Sequence, residues 1–491
     1  MGYTAFTLFG VLLQFLAVAA TGTQLQERQA STCFPLNPAN TVTDRLNAAL
    51  NATGATGLAI QLCADTNYNI TAPIKFAYPN QQITTLGFPG LDLSHRATLT
   101  VSGSRAGDGT GHTTAVDGSC ANCTSVAIRY IQIVGNRAGA GPITGGANIE
   151  FGGANQNQVI EYVHSRDPRS WSCLHVAEGP FTCANTLIQN NDIGPCGTDA
   201  FQEWADGISL SCKLSIVQNN VVTGATDGGI VIFGSPGSHI HNNTIVNEGA
   251  MQLGGINMVD WSPWHGDFTG TIVENNIIQG GFATNLTNAA TEEGKNADDA
   301  FIKIGLAMGA RTWFGDQFGY NATIGAVVRN NVFMGGFGYV MAAAVLTNWT
   351  VYGNTIDQDV TYIGSLGPNC TKGETYPDPQ PFVYNTTALT NCTMDQAFVN
   401  QDTDSLTCIL PDSGDFWPWV PSVNTTTGTL PTGSGSSSTP GSSPSGSGSG
   451  KSSVVPLAVG ITFGILGAIA IAAGVRWWAL RQRALSRKVT Y

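Results

Sequence analysis

The chain has 491 residues, with 33 acidic against 21 basic side chains, a net charge of −12, 60 glycines and only 11% charged residues against 42% hydrophobic. An acidic balance of this kind excludes an electrostatic nucleic-acid binder, and so few charges with so much glycine make poor amphipathic helices. The same composition suits short strands and tight turns, so a mostly β protein is expected, either as several average domains or as one elongated repeat domain.

In chain order, residues 1–20 come first, with an apolar stretch from Phe6 to Val18 and small residues at Ala19 and Ala20. They read as a signal peptide without the usual basic start. Residues 21–424 form an ectodomain with an N-terminal cap and a Cys-containing C-terminal extension. Residues 425–453, rich in Ser, Gly, Pro and Thr, cannot bury a core and form a flexible stalk. Residues 454–475 are apolar and, at about 1.5 Å per residue, long enough for one transmembrane helix. The basic tail 476–491 then places Arg476, Arg481, Arg483, Arg487 and Lys488 on the cytoplasmic side, as expected of a single-pass type I protein at the plasma membrane or cell surface. That basic extension argues against a GPI signal. Gly460 and Gly464 form one GxxxG, a helix-pairing pattern that is also frequent by chance in a Gly-rich span.

All 11 cysteines and every N-x-S/T acceptor (Asn51, Asn69, Asn122, Asn242, Asn285, Asn321, Asn348, Asn369, Asn385, Asn391 and Asn424) precede the stalk. Secretion, N-glycosylation and disulfides follow from that pattern. Cys120 with Cys123 reads as a bridge, Cys173 with Cys183 and Cys196 with Cys212 as local pairs, and the odd count leaves one thiol over. Without the tail's basic residues the ectodomain is more acidic still, and no nucleic-acid partner is expected.

Within the ectodomain the segments "ANTLIQNNDIG", "LSIVQNNVVTG", "SHIHNNTIVN", "GTIVENNIIQGG", "AVVRNNVFMGG" and "WTVYGNTID" repeat one pattern around Asn191, Asn220, Asn243, Asn276, Asn331 and Asn354. Each is preceded by a further short strand such as "GISLSC" or "GGIVIFG". Three strands per unit, with Asn able to turn left-handed at a fixed corner, describe one coil of a parallel β-helix. Stacked coils place like residues about 4.8 Å apart, so aliphatic side chains stack inside and Asn at the corner. A propeller would need four antiparallel strands per blade and hairpin turns that are scarce here.

With the entry segment "NITAPIKFAYPNQQITTLGFPG", "ATLTVSG" and "VAIRYIQIVGNR", the chain resembles the pectin-lyase-like superfamily, fungal secreted members included, over residues 40 to 365. The resemblance implies an all-β, right-handed parallel β-helix. Its functional range spans polysaccharide lyases, polygalacturonase-like hydrolases, epimerases and non-catalytic adhesins.

Setting the coils in register by Leu174, Ile208, Ile230 and Ile256 puts Asp206 and Asp227 at the start of the strand on adjacent coils, and Glu178 and Asp260 at its end. Four residues of straight strand separate those ends by about 13 Å, which divides the carboxylates into two groups. Asp206 and Asp227 then become the candidate acid/base pair for glycoside hydrolysis, with Asp199 and Glu203 entering the same turn. Arg169 falls opposite Glu203, where it could hold a carboxylate ionised, and Trp171 falls opposite Ala205. The alternative for each Asp is a turn or a cap before glycine.

The resemblance aligns Asp206 and Asp227 with the polygalacturonase Asp positions, His239 loosely with the Gly-His-Gly histidine, and Lys303 with the lysine of its Arg-Ile-Lys. Here "WADG", "TDGG", "GSHIH" and "FIKIG" depart from that pattern. A lyase or epimerase would instead draw a base from Arg166, Arg169 or Lys303. No cofactor is expected for a hydrolase, whereas a lyase would use Ca²⁺, with Asp298 and Asp299 as candidates that could equally be exposed loop residues. His175 alternates outward near Glu178 as a binding candidate or as a histidine held by a carboxylate. Trp171, Trp204, Trp261 and Trp264 are aromatic faces for sugar stacking, unless the Trp261–Trp264 loop packs on the helix side. The sequence thus points to an extracellular carbohydrate-active protein, a glycoside hydrolase first, with a lyase or epimerase and a non-catalytic glycan-binding protein as alternatives.

Overall fold

Each alternating apolar run is cut short by a residue that turns the chain, so the strands are short and come round in threes. The structure is a computed structural model that describes residues 32–104, 111–137, 146–198, 203–247, 252–281, 302–314, 321–362, 380–395 and 397–400. The expected signal peptide, stalk, transmembrane helix and tail lie outside the described residues, as do Asp199, Asp298, Asp299, Asn285, Asn369 and Asn424.

The strands form three sheets of 11, 10 and 13 members among the described residues, and successive members of a sheet come from successive coils. Pairing is parallel in all three. This is the parallel β-helix that the repeat predicts. Its interior is built from aligned aliphatic columns. In the first sheet Ile128, Ile160, Ile188, Val217, Ile240, Val273 and Val328 follow one another in register, all fully buried. In the third, Leu174, Ile208, Ile230 and Ile256 stack in the expected register and continue to Leu306 and Met341. Each such side chain contributes about 1.5–3 kcal/mol by leaving water.

The corner between the first two sheets carries the asparagine stack. Asn190, Asn219, Asn242, Asn275 and Asn330 take φ of 54 to 57°, and Gly353 takes the same place on the last of these coils at 66°. A left-handed residue here aims the next side chain into the wall. Asn191, Asn220, Asn243, Asn276, Asn331 and Asn354 are buried. The first five each donate from Nδ2 to the Oδ1 of the next at 2.8–2.9 Å. The Oδ1 of each of the last five also accepts a backbone N–H from the preceding coil, at 3.0–3.1 Å. A buried amide that satisfies both its ends in this way adds stability where an unpaired one would cost it.

The N-terminal end is closed by α1, Val42–Leu50, whose Val42, Leu46 and Leu50 cover the first coil. Its Asn47 accepts from Lys75 N–H at 2.8 Å and donates to the Pro73 carbonyl at 3.0 Å. An uncovered coil end would present open strand edges, and the helix removes that liability.

Four disulfides are present: Cys33–Cys63, Cys120–Cys123, Cys173–Cys196 and Cys183–Cys212. The last two differ from the local pairs expected from spacing. Residues 23 and 29 apart stand on adjacent coils, so each of these bridges ties one coil to the next. Cys392 is unpaired among the described residues. Asn51, Asn69, Asn122, Asn242, Asn321, Asn348 and Asn391 are exposed, as glycan acceptors must be.

Candidate functional site

The candidate site lies on the outer face of the third sheet, where the strands do not run straight. The Asp206 carboxyl lies 2.7 Å from the hydroxyl of Ser209, three residues further along the same strand. In a flat strand those two side chains would point to opposite faces. The next two coils bend alike: a Cβ added to Gly228 would fall 2.2 Å from the Val231 side chain, and one added to Gly254 1.9 Å from that of Asn257. The glycine after Asp206 explains how the bend is tolerated. A Cβ on Gly207 would sit 2.5 Å from Val222 inside the coil and 2.5 Å from the Gly229 carbonyl, so only glycine fits between the layers.

The bend changes which carboxylates meet. Asp206 and Asp227 remain neighbours on adjacent coils, offset by one residue as expected, since Ile208 pairs with Ile230. Asp260 joins them. A separation of about 13 Å presumes a straight strand, whereas this one is bent and Asp227 acts on Asp260 electrostatically. Burial, and next the charge of Asp227, lift the Asp260 carboxyl to about 8. Asp260 is partly accessible at its surface yet densely surrounded by protein. Asp206, only 5% exposed, is pushed well above the usual carboxylate range by burial first and Asp227 second. The hydrogen bond that Asp206 accepts from Gly228 N–H, at 3.0 Å, only partly offsets that rise. Asp227 thus raises both of its carboxyl neighbours, Asp206 in direction and Asp260 to about 8, where an acid is still largely protonated at neutral pH. The missed signal was the glycine that recurs at 207, 229 and 255, which marks the bend in the sequence itself.

Glu203, three residues before Asp206 in the chain, has Thr198 Oγ1 3.3 Å from its Oε2. Arg169 does not hold it. The Arg169 guanidinium is buried and donates to the carbonyls of Val101, Gly103, His112 and Asn136 at 2.8–3.3 Å. The cation near Glu203 is Arg137, 4.0 Å from its Oε2. Arg137 also donates to the carbonyls of Pro168, Ser170 and Glu203. Sequence position puts Arg169 opposite Glu203 but does not say which way so long a side chain turns.

Trp204 packs on the outer apolar cluster that includes Leu253 and Val259, and so walls the carboxyl group. One coil towards the N-terminus, Trp171 lies edge-on to His175 at 4.7 Å between ring centroids. His175 is buried, with Nδ1 2.8 Å from Glu150, a partner the sequence did not suggest. Burial opposes its charge, but Glu150 and then Glu178 outweigh this and raise its pKa. Burial likewise raises Glu178. Trp264 donates from Nε1 to the Ser211 carbonyl at 2.7 Å and meets Phe181 edge-on, so this part of the aromatic loop is anchored on an earlier coil. Trp261 lies 6.2 Å from the exposed His265 and stays partly open.

Of the remaining expected bases, Arg166 belongs to the second sheet and pairs with Asp167 at 2.9 Å. Lys303 falls in one row with Leu253 and Asp227 and is fully buried. His239 is on the first sheet, 2.7 Å from Glu274 and away from the carboxyl group. Among the described residues no three His, Cys, Asp or Glu side chains converge as a metal site.

No family model matches the chain, and no curated protein matches it. Solved structures do. The Streptococcus pneumoniae surface protein and adhesin PfbA aligns at 11% identity with a TM-score of 0.42, over 75% of this chain and 95% of its own. The A-module of Azotobacter vinelandii mannuronan C-5 epimerase AlgE6 aligns at 15% identity and a TM-score of 0.37, over 72% and 95%. Endo-xylogalacturonan hydrolase from Aspergillus tubingensis aligns at 10% identity and a TM-score of 0.33, over 78% and 94%. The likeness concerns the fold and leaves the chemistry to the side chains.

Proposed function

We propose that this protein is a glycoside hydrolase acting outside the cell on an uncharged polysaccharide. The observation that carries the reading is a cluster of three interacting aspartates, in which burial and the charge of Asp227 push Asp206 well above the usual carboxylate range and Asp260 to about 8. Glycosidic hydrolysis needs a protonated carboxyl to deliver a proton to the leaving oxygen and an ionised one to activate water or attack the sugar. Asp260, the more accessible of the two protonated groups, serves as the acid, and Asp227 serves as the base or nucleophile. Trp204, Trp171 and Trp261 supply stacking faces for the sugar rings.

The lyase and epimerase readings lose support because the arginines they need are engaged elsewhere, Arg169 on four carbonyls and Arg166 on another sheet. The substrate's lack of charge follows from the same accounting. Around the carboxyls, Arg137, Arg169 and His175 are held by protein oxygens, while Lys303 and Arg311 are buried and partnered. Among the described residues no guanidinium or ammonium on this face is left to grip a uronate, and the acidic surface repels one.

Four disulfides and the exposed glycan acceptors support a place outside the cell. The apolar segment 454–475 and basic tail support a membrane anchor, with the stalk holding the β-helix away from the bilayer. The test is incubation with neutral glucans, galactans, xylans and mannans beside polyuronates, reading reducing ends and the absorbance of unsaturated uronates. New reducing ends from a neutral polymer are expected. Unsaturated products would overturn the reading in favour of a lyase, and binding without product in favour of a non-catalytic receptor.

A further inference from the structure

We infer that Asp206 is a neutral, protonated carboxyl in the folded protein, donating its hydrogen to Ser209, and that it acts as a positioning residue rather than as the base of the site. Four oxygens stand in a chain, from Asp206 Oδ2 through Ser209 Oγ and Ser172 Oγ to the Leu174 carbonyl. The three contacts are 2.7, 2.9 and 2.8 Å. Each is a hydrogen-bond length, and each needs one hydrogen between its oxygens. A serine hydroxyl has one hydrogen and a carbonyl has none. Ser172 must give its hydrogen to the Leu174 carbonyl, because nothing else can fill that contact. Ser209 must then donate to Ser172, and the contact with Asp206 is left to be filled from the carboxyl.

The other carboxyl oxygen behaves as the carbonyl of an acid would, accepting Gly228 N–H at 3.0 Å. Ser172, Ser209 and Asp206 are all buried, so water does not replace a missing hydrogen at this depth. The charges that act on Asp206 agree in direction. Asp227 and Asp260 repel a charge there, and His175, in the same row as Ser209, has its charge engaged by Glu150.

The consequence for the site is a division of labour. The Asp206 proton points into the serine chain, while the carboxyl grips the backbone of Gly228, the residue after Asp227. A neutral group there leaves Asp227 as the ionised member of the three. The division of labour rests on the hydrolase reading, whereas the protonation of Asp206 does not.

The test uses the purified full-length protein and needs no substrate. Asparagine reproduces a protonated Asp206, with a donor towards Ser209 and an acceptor for Gly228. Asp206→Asn is therefore expected to fold, and to melt at a higher temperature than the parent at pH 7 but not at pH 4. In an acid raised above its unfolded value, stability falls as pH climbs from about 4 towards the folded pKa, and the amide removes that fall. The infrared difference between parent and variant at pH 7 is expected to show a lost carboxylic-acid carbonyl band, which Ser209→Ala shifts without removing. A lower melting temperature at pH 7, a lost carboxylate band in place of the acid band, or failure of the Asn variant to fold would each overturn the inference.

Discussion

Asp260 and Asp227 stand on consecutive coils, and burial together with the charge of Asp227 lifts the Asp260 carboxyl to about 8. An acid with that value is protonated through neutral pH and loses its proton only as pH rises past it. Hydrolysis is therefore expected to hold through neutrality and to fall on the alkaline side with a midpoint near 8. Asp260→Asn removes the donor and should lower kcat by about 10²–10⁴ while leaving glycan binding in place. A variant that kept both its rate and the alkaline fall would put the proton donor elsewhere.

The same carboxyl should mark stability. Its folded pKa is raised above the unfolded value of about 3.9, so the folded state is favoured below that value and progressively disfavoured up to about 8. Asp260→Asn is expected to flatten the pH dependence of thermal unfolding over this window and to melt higher than the parent at pH 8. Calorimetry at pH 4 and pH 8 reads the difference.

What the sequence made legible was whatever repeats. The Asn stack and the Leu174, Ile208, Ile230, Ile256 column could be aligned because stacked coils force like residues into one position. What it hid were departures from straightness and the direction of long side chains. Residue counting along a straight strand separates Asp260 from Asp227, whereas the glycines at 207, 229 and 255 let the strand bend. Arg169 was placed beside Glu203 by chain position, whereas its guanidinium turns to the carbonyls of earlier coils. Cysteine pairs were sought by proximity along the chain, although in a solenoid the nearest neighbour in space lies one coil away.

That last point gives a direct chemical check. Proteolysis under non-reducing conditions should release peptides joined through Cys173–Cys196 and Cys183–Cys212, and none joining Cys173 to Cys183. Each bridge closes a loop of one coil, for which the chain-entropy account gives about 3–4 kcal/mol. Removing either pair should lower the melting temperature without altering the carboxyl site.

The asparagine stack predicts a position-dependent loss. Asn243 donates to Val217 and Asn276 and accepts from both nitrogens of Asn220, so Asn243→Ala leaves orphaned groups on both neighbouring coils. A cost of about 2–4 kcal/mol in denaturant unfolding follows. Asn354 has a donating neighbour in Asn331 and is slightly exposed, so the same change there should cost less. Equal losses at the two sites would mean that the corner amides act singly rather than as a stack.

Arg169 separates structure from catalysis most sharply. Its donors satisfy the carbonyls of Val101, Gly103, His112 and Asn136, drawn from two earlier coils, and it is 2% exposed. Arg169→Met would leave those buried acceptors without the donor they share, and a loss of about 3–5 kcal/mol is expected. Lysine would not restore it, because a single ammonium cannot span carbonyls that a planar fork reaches together. The fraction that still folds should hydrolyse glycan with kcat and KM near the parent values, since the guanidinium faces the main chain and not the carboxyls. If stability were retained while kcat collapsed, Arg169 would belong to the chemistry and the lyase reading would return.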